Sequence, residues 1–125
     1  MKSLLIASVI FLSVISISIF GAFFTDKKLR KFEEQIESAI SNNTQDEEAL
    51  YYGALTIEEK YKNIGKYLIL FIHDDGVREI EEHIEDIKSA AITGEAPDAI
   101  TAKNRLILHI KQLRRLSKFS PEAIF

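Results

Sequence analysis

The stretch Leu50–Ile72, LYYGALTIEEKYKNIGKYLILFI, decides the fold of the chain. Its apolar residues alternate spacings of four and three, so they recur once per helical turn and form a seam along one face. Such a seam is typical of a bundle helix that a neighbouring helix covers. The seam consists of Leu50, Ala54, Ile57, Tyr61, Ile64, Leu68 and Phe71.

The limits of this helix are set by the residues around the seam. We expect it to run from about Gln45 to Ile72, with Thr44 as its N-cap. Gly53 lowers helix stability by about 1 kcal/mol relative to alanine, so a break near Gly53 is an alternative. Residues 67–72 are apolar on every side, and this indicates a helix end that is buried all round.

Apolar stripes at helical spacing predict three further helices, over residues 25–41, 74–92 and 97–117. The helix over residues 25–41 is either capped by Thr25 or continuous with the apolar segment before it. The helix over residues 74–92 is expected to be capped by its aspartates and to end at Gly94. The stripes are Leu29, Phe32, Ile36, Ala39 and Ile40; Val77, Ile80, Ile84, Ile87 and Ala91; and Ala99, Ala102, Leu106, Ile110 and Leu113.

The predicted connections are only a few residues long, so the stripes cover one another most simply in an all-α antiparallel bundle of about four helices. The last two helices should form a hairpin. Seven acidic residues lie between Asp74 and Asp86, and six basic residues lie between Lys103 and Lys118, so opposite charges would face each other. After the last helix, Phe119, Ile124 and Phe125 are expected to form a non-helical tail that covers the bundle near Phe71.

Ahead of the bundle, Leu4–Phe24 is a run of 21 residues without a charge, LLIASVIFLSVISISIFGAFF. At about 1.5 Å per residue it matches the roughly 30 Å hydrocarbon core of a bilayer. It is longer than the apolar part of a typical signal peptide, so residues 1–24 are interpreted as a membrane anchor and 25–125 as the bundle domain. A cleaved signal peptide is the alternative.

The side of the membrane on which the bundle lies is left open by the charges. Lys27, Lys28, Arg30 and Lys31 come directly after the run, and the positive-inside rule then favours a cytoplasmic bundle. An apolar run that begins directly after Met1-Lys2 is typical of a signal-anchor, which exports the part of the chain on its C-terminal side.

Composition excludes several classes of function. The 125 residues carry 16 basic and 19 acidic side chains, a net charge of −3, which does not suit a nucleic-acid-coating protein. There is no cysteine, so disulfides, thiolate metal sites and cysteine nucleophiles are excluded. No phosphate-binding glycine loop, nucleophile elbow or HExxH motif is found, and no cofactor is predicted.

A few polar side chains are candidate site residues. Glu79 and His83 share one helical face, but a metal site needs more ligands than this pair supplies. His73 lies at the end of the helix over residues 45–72, and His109 lies at the edge of the apolar stripe of the last helix. The two histidines would form a metal- or pH-responsive site if they came together. The simpler interpretation is that each histidine bonds a carboxylate or carbonyl at the rim of the core.

A basic face on the last helix is a candidate contact for anionic lipid or a protein partner. Lys111, Arg115 and Lys118 lie on the same side of that helix. The alternative is that they are solvated or paired with acidic side chains.

The order of these features resembles a bacterial membrane-protein family without an assigned activity, domain of unknown function 4363. The likeness covers nearly the whole chain. It rests on Tyr61, on the segment from Tyr67 to Asp75 (YLILFIHDD), and on short matches further along. Those matches are Ile80-Glu81, Leu108-His109-Ile110, Leu116 and Ser120–Phe125.

The resemblance implies a helical, membrane-anchored bacterial protein with an outward-facing domain, and it supplies no catalytic residue. The family pattern favours tryptophan where this chain has Tyr61 or Tyr67. From this resemblance and the missing catalytic motifs, we expect a non-enzymatic module that binds another membrane protein or a second copy of itself. A metal- or pH-responsive module is the alternative.

Overall fold

The computed structural model describes residues 1–44 and 46–115 in full, and residues 116–124 by the course of the backbone. Four helices succeed one another: α1 (Lys2–Ala39), α2 (Glu47–Phe71), α3 (Asp74–Ile92) and α4 (Ala96–Ile124). No strand occurs in the described part of the chain. The predicted all-α class with four helices is confirmed.

The four helices form an antiparallel bundle in which neighbours in the chain are neighbours in space. α1 also packs against α4 and closes the ring, while α2 and α4 touch only slightly across it. Two contacts give the direction of α4: Lys103 near its start reaches Ile40 at the end of α1, and Arg114 further along reaches Asp26.

The core is built from the predicted stripes, except that Phe71 of the α2 seam is exposed. The stripes of α3 and α4 are buried throughout, including Ile84 and Ile87 on α3 and Leu106 and Ile110 on α4. On α2 the buried part of the seam is Leu50, Ala54, Ile57 and Leu68, with Tyr61 and Ile64 partly buried. Burying such side chains contributes about 1.5–3 kcal/mol each, so this core is the main source of stability.

α1 is one unbroken helix from the apolar run into the bundle. Thr25 lies inside it and is 2% exposed, so the predicted N-cap at Thr25 is wrong and the continuous alternative is correct. The physical reason is that no residue between Phe24 and Leu29 disfavours a helix. The bundle is therefore joined to the run by helix and not by a flexible linker.

Two other caps differ from the sequence prediction. Asp46, and not Thr44, caps α2, since its side chain accepts from the backbone N–H of Glu48 at 3.1 Å. His73 caps α3 in place of the aspartates, through Nδ1, which accepts from the N–H of Asp75 at 3.3 Å. Thr44 instead accepts from the N–H of Ser41 and closes the turn before α2.

The end of α2 is not buried all round, and that prediction is wrong. Leu68 faces the core, but Ile69 is 60% exposed, Leu70 72% and Phe71 41%. Only one face of α2 meets α1 and α3 at this end of the bundle, so the apolar residues on its other faces are not covered by the side chains that the structure describes.

α4 extends further than predicted and runs to Ile124, beyond the expected end near Ser117. A proline inside a helix removes one backbone hydrogen bond and crowds the carbonyl four residues earlier, at a cost of about 3 kcal/mol, but its φ angle is helical and α4 continues through Pro121. The expected tail is therefore helical as far as Ile124. Its docking through Phe119, Ile124 and Phe125 lies outside the described side chains.

Candidate functional site

The first part of α1 is long and apolar enough to cross a membrane, the one helix in the described chain that meets this test. Its side chains are exposed along nearly the whole run Leu4–Phe24. Three hydroxyls bond back to the carbonyl four residues earlier, at 2.8–2.9 Å, in Ser8, Ser13 and Ser18. These three hydroxyls are thus satisfied within the helix, which suits a hydrocarbon environment.

The structure joins His109 to the pair Glu79 and His83. Nε2 of His109 lies 3.0 Å from the carbonyl oxygen of Gly76, and Nδ1 lies 3.1 Å from Oε2 of Glu79. The ring of His83 is 5.6 Å from the ring of His109, centre to centre. Sequence spacing gave Glu79 and His83 as one pair, but the addition of His109 needed the α3–α4 packing.

In this histidine cluster, Glu79, His83 and His109, both ring nitrogens of His109 lie beside oxygen atoms that accept hydrogen bonds, the Gly76 carbonyl and the Glu79 carboxylate. His83 Nδ1 is buried and has no hydrogen-bond partner in the described part of the chain. The cluster therefore combines one engaged ring with a neighbouring ring whose nitrogen is free to gain a partner.

His73 does not belong to the cluster. Its side chain is 84% exposed, and its contacts are with Asp75 at the start of α3. The predicted joint role of His73 and His109 is therefore not supported by their placement. Within the described residues, no group of three or more histidine or acidic side chains has the geometry of a metal site.

A partly buried ion network fastens α4 to α1 directly after the apolar run. Arg114 donates from Nε to Asp26 and from an Nη to Glu33, both at 2.9 Å. The hydrogen bond to Asp26, with that to Glu33, raises the pKa of Arg114 above its ordinary value. Charge-assisted bonds to two carboxylates hold the guanidinium firmly, so α4 is fixed to α1 directly after the apolar run.

Lys103 makes a second link between these helices at the far end. It is 3% exposed, and Nζ donates to the Ile40 carbonyl at 2.9 Å and to Oδ1 of Asn42 at 2.7 Å. Burial lowers the pKa of Lys103, an effect that the charge of Glu37 partly offsets. The ammonium caps the carbonyl end of α1, a role that an isolated lysine in the sequence does not reveal.

The basic residues of α4 do not pair with the acidic run of α3 in the way that their charges predicted. The described contact between charged groups of the two helices is the one from His109 to Glu79. Arg114 pairs with α1 instead, and Lys111 lies 3.6 Å from Glu33. The charged groups of α3 contact α2 instead. Lys88 of α3 binds Glu58 of α2, and the Tyr61 hydroxyl of α2 donates to Glu81 of α3 at 2.9 Å. The hairpin is held by its apolar core rather than by opposite charges.

The candidate lipid or partner contacts on α4 fall in three situations. Lys111 is 55% exposed but leans on Glu33 of α1. Arg115 is exposed. The side chain of Lys118 lies outside the described residues. Antiparallel packing brings this part of α4 back toward the apolar run, which is where a contact with lipid headgroups would have to be.

An aromatic group surrounds the junction of the run and the bundle. The ring of Phe24 lies 5.7 Å from Tyr67 and 5.8 Å from Phe71, centre to centre. Phe71 also covers Gly21, since a Cβ built on Gly21 would come within 2.8 Å of the Phe71 ring. Lys28 lies over both Phe24 and Tyr67, at 5.4 and 5.8 Å from the ring centres.

A second exposed apolar patch lies at the opposite end of α2. Tyr51 and Tyr52 form an edge-to-face pair with ring centres 5.8 Å apart, and they are 44% and 58% exposed. Leu55, one turn on, is 37% exposed. Exposed tyrosines next to an aliphatic side chain are typical of protein contact surfaces.

The described residue set offers little for catalysis. A solvent-open groove of about 420 Å³ between α3 and α4 contains Asp86, Glu95, Asp98 and Arg105. A hydrogen bond with Asp98 raises the pKa of Glu95. The Thr101 hydroxyl at the groove donates to a carbonyl of its own helix and is not set against a base. The groove lacks the nucleophile–base–orienting-group geometry that identifies a hydrolytic or transfer site.

Comparison of the chain with protein-family models, with curated proteins and with solved structures finds no match to any of them. The resemblance to domain of unknown function 4363 therefore stays a prediction.

Proposed function

We propose that this chain is a single-pass membrane protein whose helical bundle is a non-enzymatic interaction module, and that it binds another membrane protein or a second copy of itself. The observation that carries the proposal is the continuity of α1, which passes without a break from the apolar run into the core of the bundle. An anchor joined in this way holds a domain at a fixed height above the bilayer.

The ion network at the base of the bundle supports the same function. Arg114, Asp26 and Glu33 tie α4 to α1 within a few residues of the run. An enzyme with a mobile lid would not need such a rigid connection, whereas a module that presents one surface in a fixed orientation does.

The patch Tyr51, Tyr52 and Leu55 is the proposed contact surface. It lies far along α2 from the aromatic junction, at the end of the bundle away from the membrane. Large aromatic side chains supply much contact area at low entropic cost, so a pair of exposed tyrosines suits a protein partner.

The resemblance to domain of unknown function 4363 supports the location of the module. We place it in a bacterial cytoplasmic membrane, with the bundle on the outer side. The signal-anchor arrangement of Met1-Lys2 and the run agrees with this side, while the basic residues after the run favour the other.

The test of the interaction is site-specific photo-cross-linking of the full chain in membranes. A photoreactive phenylalanine at Tyr52 should give a defined adduct, either with one other membrane protein or with a second copy. The matched control is the same group at Glu82, an exposed position on α3. Equal cross-linking at both positions, or no adduct at Tyr52, would overturn the proposal.

A second function, response to protons, is favoured by the histidine cluster of Glu79, His83 and His109. Both ring nitrogens of His109 lie beside acceptor oxygens, and the neighbouring His83 ring has a buried Nδ1 without a hydrogen-bond partner in the described part of the chain. A module of this kind would change its packing between α3 and α4 as the cluster gains or loses charge.

This second function is tested by the same cross-link. Lowering the pH from about 8 to about 5 should change the yield of the Tyr52 adduct. His109→Gln should abolish the change, while His73→Gln should leave it intact because His73 lies outside the cluster. An adduct yield that is independent of pH would exclude this function.

A further inference from the structure

The end of the bundle next to the apolar run carries an apolar surface that the described side chains of the other helices leave largely exposed. It is formed by the last turn of α2, where Ile69, Leu70 and Phe71 are all exposed. We call these three residues the α2 tip. In water, exposure of such side chains forgoes about 1.5–3 kcal/mol each, so we expect a surface of this size to be covered by lipid or by protein.

The height of the α2 tip relative to the run is fixed by Gly21. A Cβ built on Gly21 would be 2.8 Å from two atoms of the Phe71 ring, so the ring lies directly on the helix at this residue. Gly21 is inside the uncharged run, which ends at Phe24, and the next charged residue is Asp26. Five residues at about 1.5 Å each place the ring roughly 7 Å to the membrane side of that charge.

The residues around the α2 tip have the composition of a membrane interface. Tyr67 lies one turn before Phe71 with its ring against Phe24. Lys28 and Lys66 place their ammonium groups 5.8 and 5.1 Å from the centre of the Tyr67 ring. Tyrosines and lysines of this kind sit at the headgroup level, with apolar stems toward the acyl chains and charges toward water.

From this geometry we infer that the α2 tip is inserted in the lipid bilayer beside α1, so that the bundle rests on the membrane through a second contact of its own. This rests on the proposed anchor. If lipid surrounds the run at Gly21, a side chain packed on Gly21 lies in that same layer, and its exposed neighbours meet acyl chains. Continuity with the run identifies the occupant as lipid rather than a soluble partner.

The inserted tip explains why the sequence of α2 changes character along its length. Between Thr56 and Ile64 the apolar residues Ile57, Tyr61 and Ile64 keep to the face that packs on the core. From Tyr67 onward they occupy every face, although only Leu68 is buried by protein. An all-round apolar helix end is expected where protein covers one face and lipid covers the rest.

The experiment uses the lack of cysteine in the full chain, so that a single introduced cysteine carries a nitroxide label at a known position. The chain is reconstituted in vesicles of phosphatidylcholine containing phosphatidylglycerol. The label is placed at Leu70, at Ile10 within the run, and at Ile92, which is 68% exposed at the far end of the bundle. Collision rates with oxygen, which concentrates in lipid, and with a water-soluble nickel complex are then compared.

The expected result is that Leu70 resembles Ile10, with oxygen collisions exceeding nickel collisions, while Ile92 shows the reverse. Leu70 in water with Ile10 in lipid would overturn the inserted tip and leave the anchor standing. Ile10 in water would overturn the anchor itself. A label at Leu70 shielded from both reagents would mean that a protein surface covers the tip, which also contradicts the inference. A label at Ile69 repeats the test at a second exposed position.

Discussion

At the scale of single residues, Tyr61 shows how one polar atom is fitted into an apolar seam. Its ring is half-buried against Phe32, with ring centres 6.1 Å apart, and its hydroxyl donates to Glu81 at 2.9 Å. Burial, and then the hydrogen bond to the Glu81 carboxylate and its negative charge, raise the pKa of Tyr61 well above its ordinary value of about 10. The sequence predicted the ring in the seam, but the acidic partner on α3 required the tertiary fold.

This shift gives a prediction about alkaline pH. Because the folded pKa is raised, the stabilisation is fully present below about pH 10, where Tyr61 is protonated in both states. Above that pH the unfolded chain loses the proton first, and the free energy of unfolding falls. Tyr61→Phe should remove this alkaline decline, so its stability difference from wild type should shrink as the pH rises past about 10. Chemical unfolding of the full chain in detergent, monitored by circular dichroism, measures it.

The control for that experiment is Tyr52→Phe, since Tyr52 is 58% exposed. Its stability difference from wild type should stay constant over the same pH range. A constant difference for Tyr61→Phe as well would contradict the proposed role of the Glu81 hydrogen bond.

The histidines show which part of a site the sequence can predict. Residues four apart on one helix share a face, so Glu79 and His83 were recognisable as a pair from spacing alone. The position of His109 beside them depends on how far α4 slides along α3, and the side-chain pattern does not determine this. The exposed cap position of His73 depends on where α3 begins, which is among the least predictable features of a helix.

At the scale of helices, stripes were predicted well because burial follows helical periodicity directly. The first and last residues of the helices were predicted less well, since α1 continues through Thr25 and α4 continues to Ile124. Gly53 illustrates the difference between propensity and packing. By propensity it favours a break, but α2 passes through it unbroken because α1 lies against it.

Gly53 and Gly65 are a matched pair that tests this packing. Alanine is favoured over glycine by about 1 kcal/mol inside a helix, so both substitutions gain the same propensity. A Cβ at Gly53 would come within 2.5 Å of the Ala39 carbonyl oxygen and 2.6 Å of Ile40, whereas at Gly65 the nearest atom, in Tyr61, is 3.5 Å away. Gly65→Ala should stabilise the chain by about 0.5–1 kcal/mol, and Gly53→Ala should destabilise it by about 1–3 kcal/mol through overpacking.

Denaturant unfolding of the two variants beside wild type measures both effects in the same way. Opposite signs are the expected outcome. Stabilisation by both substitutions would mean that α1 and α2 separate easily at Gly53, and the close crossing of these helices would then be wrong.

At the scale of the whole molecule, α1 is one rigid helix that joins the apolar run to the core of the bundle. Its first part is apolar and uncovered, and its second part supplies Leu29, Phe32 and Ile36 to the core. Arg114 fixes α4 to α1 at the base of the bundle, and Lys103 fixes it at the far end. The bundle and the run therefore move together, so the proposed contact surface around Tyr52 lies at a fixed distance from the run.

The same continuity predicts that the run is retained in the mature protein. A cut near Thr25 would begin the chain at a buried residue inside a helix and would remove Gly21 and Phe24 from Phe71 and Tyr67. We expect the intact 14.2 kDa chain to be recovered from membranes and to resist extraction with alkaline carbonate. Val14→Arg, which costs about 2.5–3.5 kcal/mol at the centre of a membrane helix, should weaken this retention. Leu108→Arg, at a similarly exposed apolar residue of the bundle, should not. A soluble product that begins near Thr25 in wild type would show instead that the run is a cleaved signal, and the anchored module would be wrong.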